Sequence, residues 1–150
     1  MEELNLSKNI ISDISILEKV NFKLLNILNL SENGISDIKV LEKDNFTKLK
    51  ELYLEHNNIS DISILERVNF KELEKLYLNK NNIKSICGLD NVTVNFKKLK
   101  ELDLRENRKL NIGILAKVSE IKILYDKPDY KISYYYGSGG GFPNDEEYID

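Results

Sequence analysis

Acid–base, nucleophilic and metal chemistry each need a few side chains of the right type held within hydrogen-bond or ligand distance of one another. The 150-residue chain offers one histidine, His56, and one cysteine, Cys87. His56 follows Glu55, and a general base or ligand there would need further partners that no motif supplies, so it reads as an exposed polar residue. Cys87 aligns with Ser15, Lys39 and Ser63, all polar, which makes it a partly exposed thiol. Carboxylates are plentiful, but no pair of them is specified for one pocket. No Gly-rich turn precedes a helix to cradle phosphate, and no Cys/His cluster has ligand spacing. The expectation is therefore no catalytic residue, no metal and no cofactor. What remains is recognition chemistry: Tyr53 and Tyr77, spaced by the same interval that recurs throughout the chain, with Glu51, Glu55, Lys75, Asp103 and Arg105 around them. Tyrosine and arginine dominate the energetics of protein interfaces.

Bulk properties narrow the partner. The net charge is −3, with both signs interspersed, where nucleic-acid binding favours a basic stripe. No apolar run approaches the ~18 residues that would span a bilayer. The opening MEELNLSKNI has no signal-peptide apolar core. A single cysteine precludes an intrachain disulfide and suits a reducing, cytoplasmic compartment. The length suits one domain.

A repeat positions the recognition residues. Leu25-x-x-Leu28-x-Leu30-x-x-Asn33-x-Ile35 returns after 24 residues as Leu49-x-x-Leu52-x-Leu54-x-x-Asn57-x-Ile59, and again as Leu73-x-x-Leu76-x-Leu78-x-x-Asn81-x-Ile83. Leu99-x-x-Leu102-x-Leu104-x-x-Asn107 arrives two residues late, after an insertion within Asp90–Val94. The chain opens inside a unit, Leu4-x-Leu6-x-x-Asn9-x-Ile11, and closes with a degenerate sixth, Val118-x-x-Ile121-x-Ile123-x-x-Asp126. One block is nearly verbatim: ISDISILEKVNF at 11–22 recurs as ISDISILERVNF at 59–70, with Lys19 replaced by Arg67.

The spacing has a physical reading. Leu28 and Leu30 alternate with polar neighbours, the period of a strand with one buried face. One strand per unit stacks into a parallel sheet, and parallel ladders need a crossover on the far side. Ile14, Leu17 and Phe22, with Ile38, Leu41 and Phe46 and with Ile62, Leu65 and Phe70, bring each crossover back to the core. Ser12-Asp13 is placed to cap one short helical turn. The recurring Asn9, Asn33, Asn57, Asn81 and Asn107 carry a carboxamide that donates and accepts, so stacked copies can satisfy buried turns.

Six units in this register over residues 1–126 resemble the leucine-rich repeat family, and N-x-I-S-D-I-x-x-L is similar to the short-repeat subclass of internalins and phosphatase regulators, with an Asn-Phe step added. The resemblance implies an α/β solenoid: a right-handed superhelix with a curved parallel β-sheet on its concave face and short helical or 3₁₀ crossovers on its convex face. It also implies that residues flanking the strand leucines line the concave face in lanes. The first lane is Glu3, Ile27, Glu51, Lys75, Glu101 and Glu120, and the second is Asn5, Asn29, Tyr53, Tyr77, Asp103 and Lys122. The third is Ser7, Ser31, Glu55, Asn79, Arg105 and Leu124, and the rim is Lys8, Glu32, His56, Lys80, Glu106 and Tyr125. The expected function is a non-enzymatic protein–protein interaction module, contacting another protein through Tyr53, Tyr77, Glu51, Glu55, His56, Lys75, Asp103 and Arg105. The alternatives are the recognition arm of a larger enzyme or effector and a bacterial surface adhesion array.

Solenoid ends normally carry a polar cap. Met1-Glu2-Glu3 runs straight into the first strand, which suggests a piece of a longer array, or else a first repeat that pairs with something else; the chain is expected to be a monomer or part of a longer repeat array. Residues 127–136 have strand-like composition and are expected to cap the solenoid. Residues 137–150 read as a Gly-rich linker and acidic tail.

Overall fold

The computed structural model describes residues 1–87, 89, 96–107, 110 and 121–126. The alternating leucines form six strands: β1 (Glu3–Asn5), β2 (Ile27–Asn29), β3 (Glu51–Tyr53), β4 (Lys75–Tyr77), β5 (Glu101–Asp103) and β6 (Lys122–Leu124). They assemble into one parallel sheet in chain order. Leu4, Leu28, Leu52, Leu76 and Leu102 stand opposite one another along it. The expected capping segment, 127–136, and the linker and tail, 137–150, lie outside the described residues.

Among the described residues, the crossovers between β1 and β4 carry 3₁₀ turns: Ser15–Lys19, Lys39–Glu42, Asp44–Phe46 and Ser63–Glu66. Three of them begin with the same device, displaced by one residue from the expected cap. Asp13, Asp37 and Asp61 each accept a hydrogen bond from the backbone N–H two residues on, at 2.8 Å, while an isoleucine occupies the cap position itself. Ile14, Leu17 and Phe22 are buried together with their counterparts in the later units, as their spacing requires. Phe22 stacks on Phe46 at 5.9 Å between ring centroids, and Phe70 lies 6.3 Å from Phe96.

The asparagines close the other edge of each unit. Asn57 Nδ2 donates to Leu54 O and Glu55 O of its own turn and to Leu30 O of the preceding unit, while its Oδ1 accepts from Ile35 N at 3.0 Å. Asn33, Asn81 and Asn107 repeat this set. The carboxamides thus join each turn to the one before it, rather than to one another. The residue ahead of each asparagine, Lys8, Glu32, His56, Lys80 or Glu106, has φ between 52° and 58°. That left-handed conformation turns its N–H toward the next unit: Lys8 N reaches Ser31 O, and His56 N reaches Asn79 O, both at 3.0 Å. None of the five is β-branched, the class that tolerates positive φ least.

Two departures from the repeat are informative. The sixth strand pairs Lys122 with Glu101 and Ile123 with Leu102, whereas the expected alignment put Glu120 and Ile121 there. Ile121-x-Ile123 presents the same buried face after a slide of two residues, so alternation alone does not choose between them. Lys122 therefore stands in the first lane and Leu124 in the second. Asp126, matched in sequence to the asparagines, instead accepts from Glu106 N through its carboxylate. The second departure is one of environment. Ile16 is 59% exposed while Ile64, in the same sequence context, is 4% exposed. Val20 and Val68 differ likewise, at 40% and 7%. Local sequence is identical, so burial comes from the preceding unit, which only the later copy has.

That duplication is an internal control. Ile64→Ala is expected to destabilise by about 2–4 kcal/mol and Ile16→Ala by less than about 1 kcal/mol, measured by urea unfolding of each variant. Equal losses would show that burial at the two copies is the same. Asn57→Ala, which strands buried partners in two units, should cost about 3 kcal/mol, and Asn9→Ala, exposed and bonded only within its own turn, below about 1 kcal/mol.

Candidate functional site

The sheet face turned away from the core is organised by short-range hydrogen bonds between the second and third lanes. Asn5 Oδ1 accepts from the Ser7 backbone N–H and hydroxyl at 3.0 and 2.7 Å, and Asn29 does the same for Ser31. Asp103 accepts from Arg105 N at 3.1 Å and from its guanidinium, with Nη2 2.6 Å from Oδ2. Asp103 is buried by this arrangement, and its charge raises the Arg105 guanidinium pKa further. The lane thus satisfies itself on β1, β2 and β5.

On β3 and β4 it does not. Tyr53 and Tyr77 occupy paired positions and stack, with centroids 4.9 Å apart and planes inclined by 11°. Neither hydroxyl bonds its third-lane neighbour, and both turn to first-lane carboxylates instead. Tyr53 donates to Glu51 Oε2, and Tyr77 donates to Glu101 Oε1 at 3.3 Å. Lys75, between these carboxylates in the register, donates to Glu51 Oε1 at 3.0 Å. Lys122 stands 3.6 Å from Glu101.

The electrostatics follow from these contacts. Burial and the Glu51 carboxylate push the Tyr53 phenol far above its ordinary pKa, and burial and Glu101 raise Tyr77. The Tyr53 hydroxyl holds Glu51 below the usual carboxylate value, against its partial burial, with Lys75 adding to the effect. Glu55 goes the other way: burial raises it, with Glu32 and Asp103 adding repulsion. One of its oxygens, Oε2, is buried with no hydrogen-bond partner among the described residues.

Of the expected patch, Glu51, Tyr53, Lys75 and Tyr77 form one connected cluster. Glu101 joins it, although the sequence reading placed it in a lane and left it out of the patch. The signal available was its first-lane position one strand beyond Tyr77. Asp103 and Arg105 are adjacent but occupied with each other. His56 is exposed at the turn, where its backbone does the work. Cys87 is exposed, with Ser85 Oγ 2.9 Å from its sulfur. Among the described residues, no group of three or more His, Cys, Asp or Glu is placed to hold a metal, and no helix is long and apolar enough to cross a membrane.

Comparison with known proteins agrees with this geometry. Residues 47–91 match the family model for leucine-rich repeats in two copies. No curated protein sequence matches the chain. Among solved structures it is similar to internalin C2 from Listeria monocytogenes, at 25% identity and a TM-score of 0.69, over 84% of this chain and 52% of that one. It is also similar to the internalin InlF from the same organism, at 26% identity and a TM-score of 0.61, over 85% of this chain and 43% of that one. The chain thus spans about half the length of these proteins or less. Leucine-rich repeats generally mediate protein–protein interaction.

The Tyr53–Glu51 bond can be read by titration. Because the folded-state pKa of Glu51 is depressed, its contribution to stability is present above the unfolded value and is lost as pH falls through the folded one. Tyr53→Phe should move the Glu51 carboxyl midpoint upward, toward the ordinary glutamate value, in carboxyl-carbon NMR. An unmoved midpoint would show that the phenol does not hold the carboxylate.

Proposed function

We propose that this leucine-rich-repeat solenoid is a non-enzymatic protein–protein interaction module that contacts its partner through the concave sheet face centred on Tyr53 and Tyr77. The observation that carries the reading is the break in lane chemistry. On β1, β2 and β5 the second-lane side chain is consumed by its own strand, while on β3 and β4 two half-buried aromatic rings replace it. Aromatic rings held by stacking and by fixed hydroxyl bonds present contact area at small further entropy cost, the property that makes tyrosine an interface anchor. The flanking Glu51, Lys75 and Glu101 supply a charged rim that tunes specificity and association rate.

Affinity capture with the wild-type chain and with Tyr53→Ala/Tyr77→Ala tests this. A partner held by the wild type should lose at least about tenfold in affinity to the double variant, with circular dichroism and the urea midpoint used to verify folding. Undiminished affinity in a folded double variant would remove the concave face as the contact surface.

A further inference from the structure

The charged groups of the sheet face are almost all matched within the chain. Glu51 has Lys75 at 3.0 Å, Asp103 has Arg105 at 2.6 Å, and Glu101 has Lys122 at 3.6 Å. Glu3 lies exposed to solvent on β1. Glu55 stands apart. It lies in the third lane, where Ser7, Ser31 and Arg105 each donate to the second-lane residue two positions back. A carboxylate has nothing to donate, and the Tyr53 hydroxyl is given to Glu51, so Glu55 keeps only hydrogen bonds from its own backbone and the Ser31 hydroxyl, neither of which brings a positive charge. Among the described residues Glu55 has no ion-pair partner, and its Oε2 is buried without a hydrogen bond. The fixed charges that bear on it from neighbouring strands, Glu32 and Asp103, are negative. A half-buried carboxylate with no cation beside it costs stability, and here it sits beside the aromatic pair, close enough for its charge to bear on the Tyr53 phenol.

We infer that Glu55 is the receptor for an arginine side chain presented by the partner protein, its guanidinium reaching the half-exposed Glu55 carboxylate alongside the Tyr53–Tyr77 stack. This rests on the concave-face reading above and specifies the chemistry of what docks there. Charge complementarity selects a cation, because Glu51, Asp103 and Glu101, the other partly or fully buried carboxylates of the face, each have the match that Glu55 lacks. The neighbouring rings select arginine over lysine: a guanidinium is flat, sheds water more readily than an ammonium, packs against aromatic faces and carries several N–H donors in one plane. Its arrival supplies the cation that Glu55 lacks and offsets the repulsion from Glu32 and Asp103, so the partner corrects an imbalance that the free chain holds.

A phage-displayed library of random peptides, panned on the full chain and counter-screened on Tyr53→Ala/Tyr77→Ala, separates the two levels of the claim. Peptides whose binding requires the tyrosine pair should share an arginine. Replacing that arginine by citrulline, or Glu55 by Gln, should each weaken binding about tenfold, and the two changes together little more than either alone. Panning on Glu55→Lys should select acidic residues at the same position. Tyrosine-dependent peptides that lack arginine, or that ignore Glu55→Gln, would overturn the arginine receptor and leave the concave-face reading standing. Binders indifferent to the tyrosine pair, or no binders at all, would count against both.

Discussion

Every unit of this molecule must bend its backbone sharply at the end of a strand, inside a stack where water cannot reach the polar groups so exposed. The asparagine carboxamide is the answer in unit after unit: three donations and one acceptance, spanning a turn and its predecessor. Side chains with only donors or only acceptors fail one half of that demand. The strand register, the left-handed residue before each asparagine and the depth of the leucines all follow from holding that turn in place. Packing then adds to it, since an isoleucine such as Ile64 is buried only because another unit lies against it.

Function enters where this regularity leaves a lane free. The core and the turn fix much of each unit, and the crossover fixes most of the rest, down to the aspartate that starts three of the 3₁₀ turns. The second lane is constrained by neither. Where it carries asparagine or aspartate, the side chain folds back on its own strand and presents a closed polar surface. Tyrosine at β3 and β4 breaks that habit and gives its two hydroxyls to Glu51 and Glu101, while Glu55 in the third lane has no cation beside it among the described residues. Tyrosine in the second lane and glutamate in the third thus bring an aromatic surface and an unpaired charge together on β3 and the turn after it.

The architecture was legible in the sequence because both periods, two along the strand and 24 along the chain, are written in leucine and asparagine. Sheet order, the crossover core and the membership of Glu51, Tyr53, Lys75 and Tyr77 in one lane system followed from spacing. The register of β6 did not, since Ile121 and Ile123 are interchangeable under a two-residue slide, and the unit carries an aspartate where the others carry asparagine. The pairing of Tyr77 with Glu101 and the isolation of Glu55 were illegible for a different reason. They depend on which way a hydroxyl points among several acceptors, and a one-dimensional pattern has no term for that. The left-handed rim was legible only negatively, in the lack of β-branched residues at Lys8, Glu32, His56, Lys80 and Glu106.

The asparagine bonds have a direction. Asn33 serves the turn containing Leu6 and Ile11, Asn57 the turn containing Leu30 and Ile35, and so on up the stack, always reaching back toward the amino terminus. A turn is therefore finished only by residues made later. On the ribosome, each unit must wait about one repeat's worth of synthesis for the carboxamide that completes it, so the growing chain always carries one open turn at its leading end. The polarity of the chain is thus written into the stack, each unit being closed by the one that follows it in sequence.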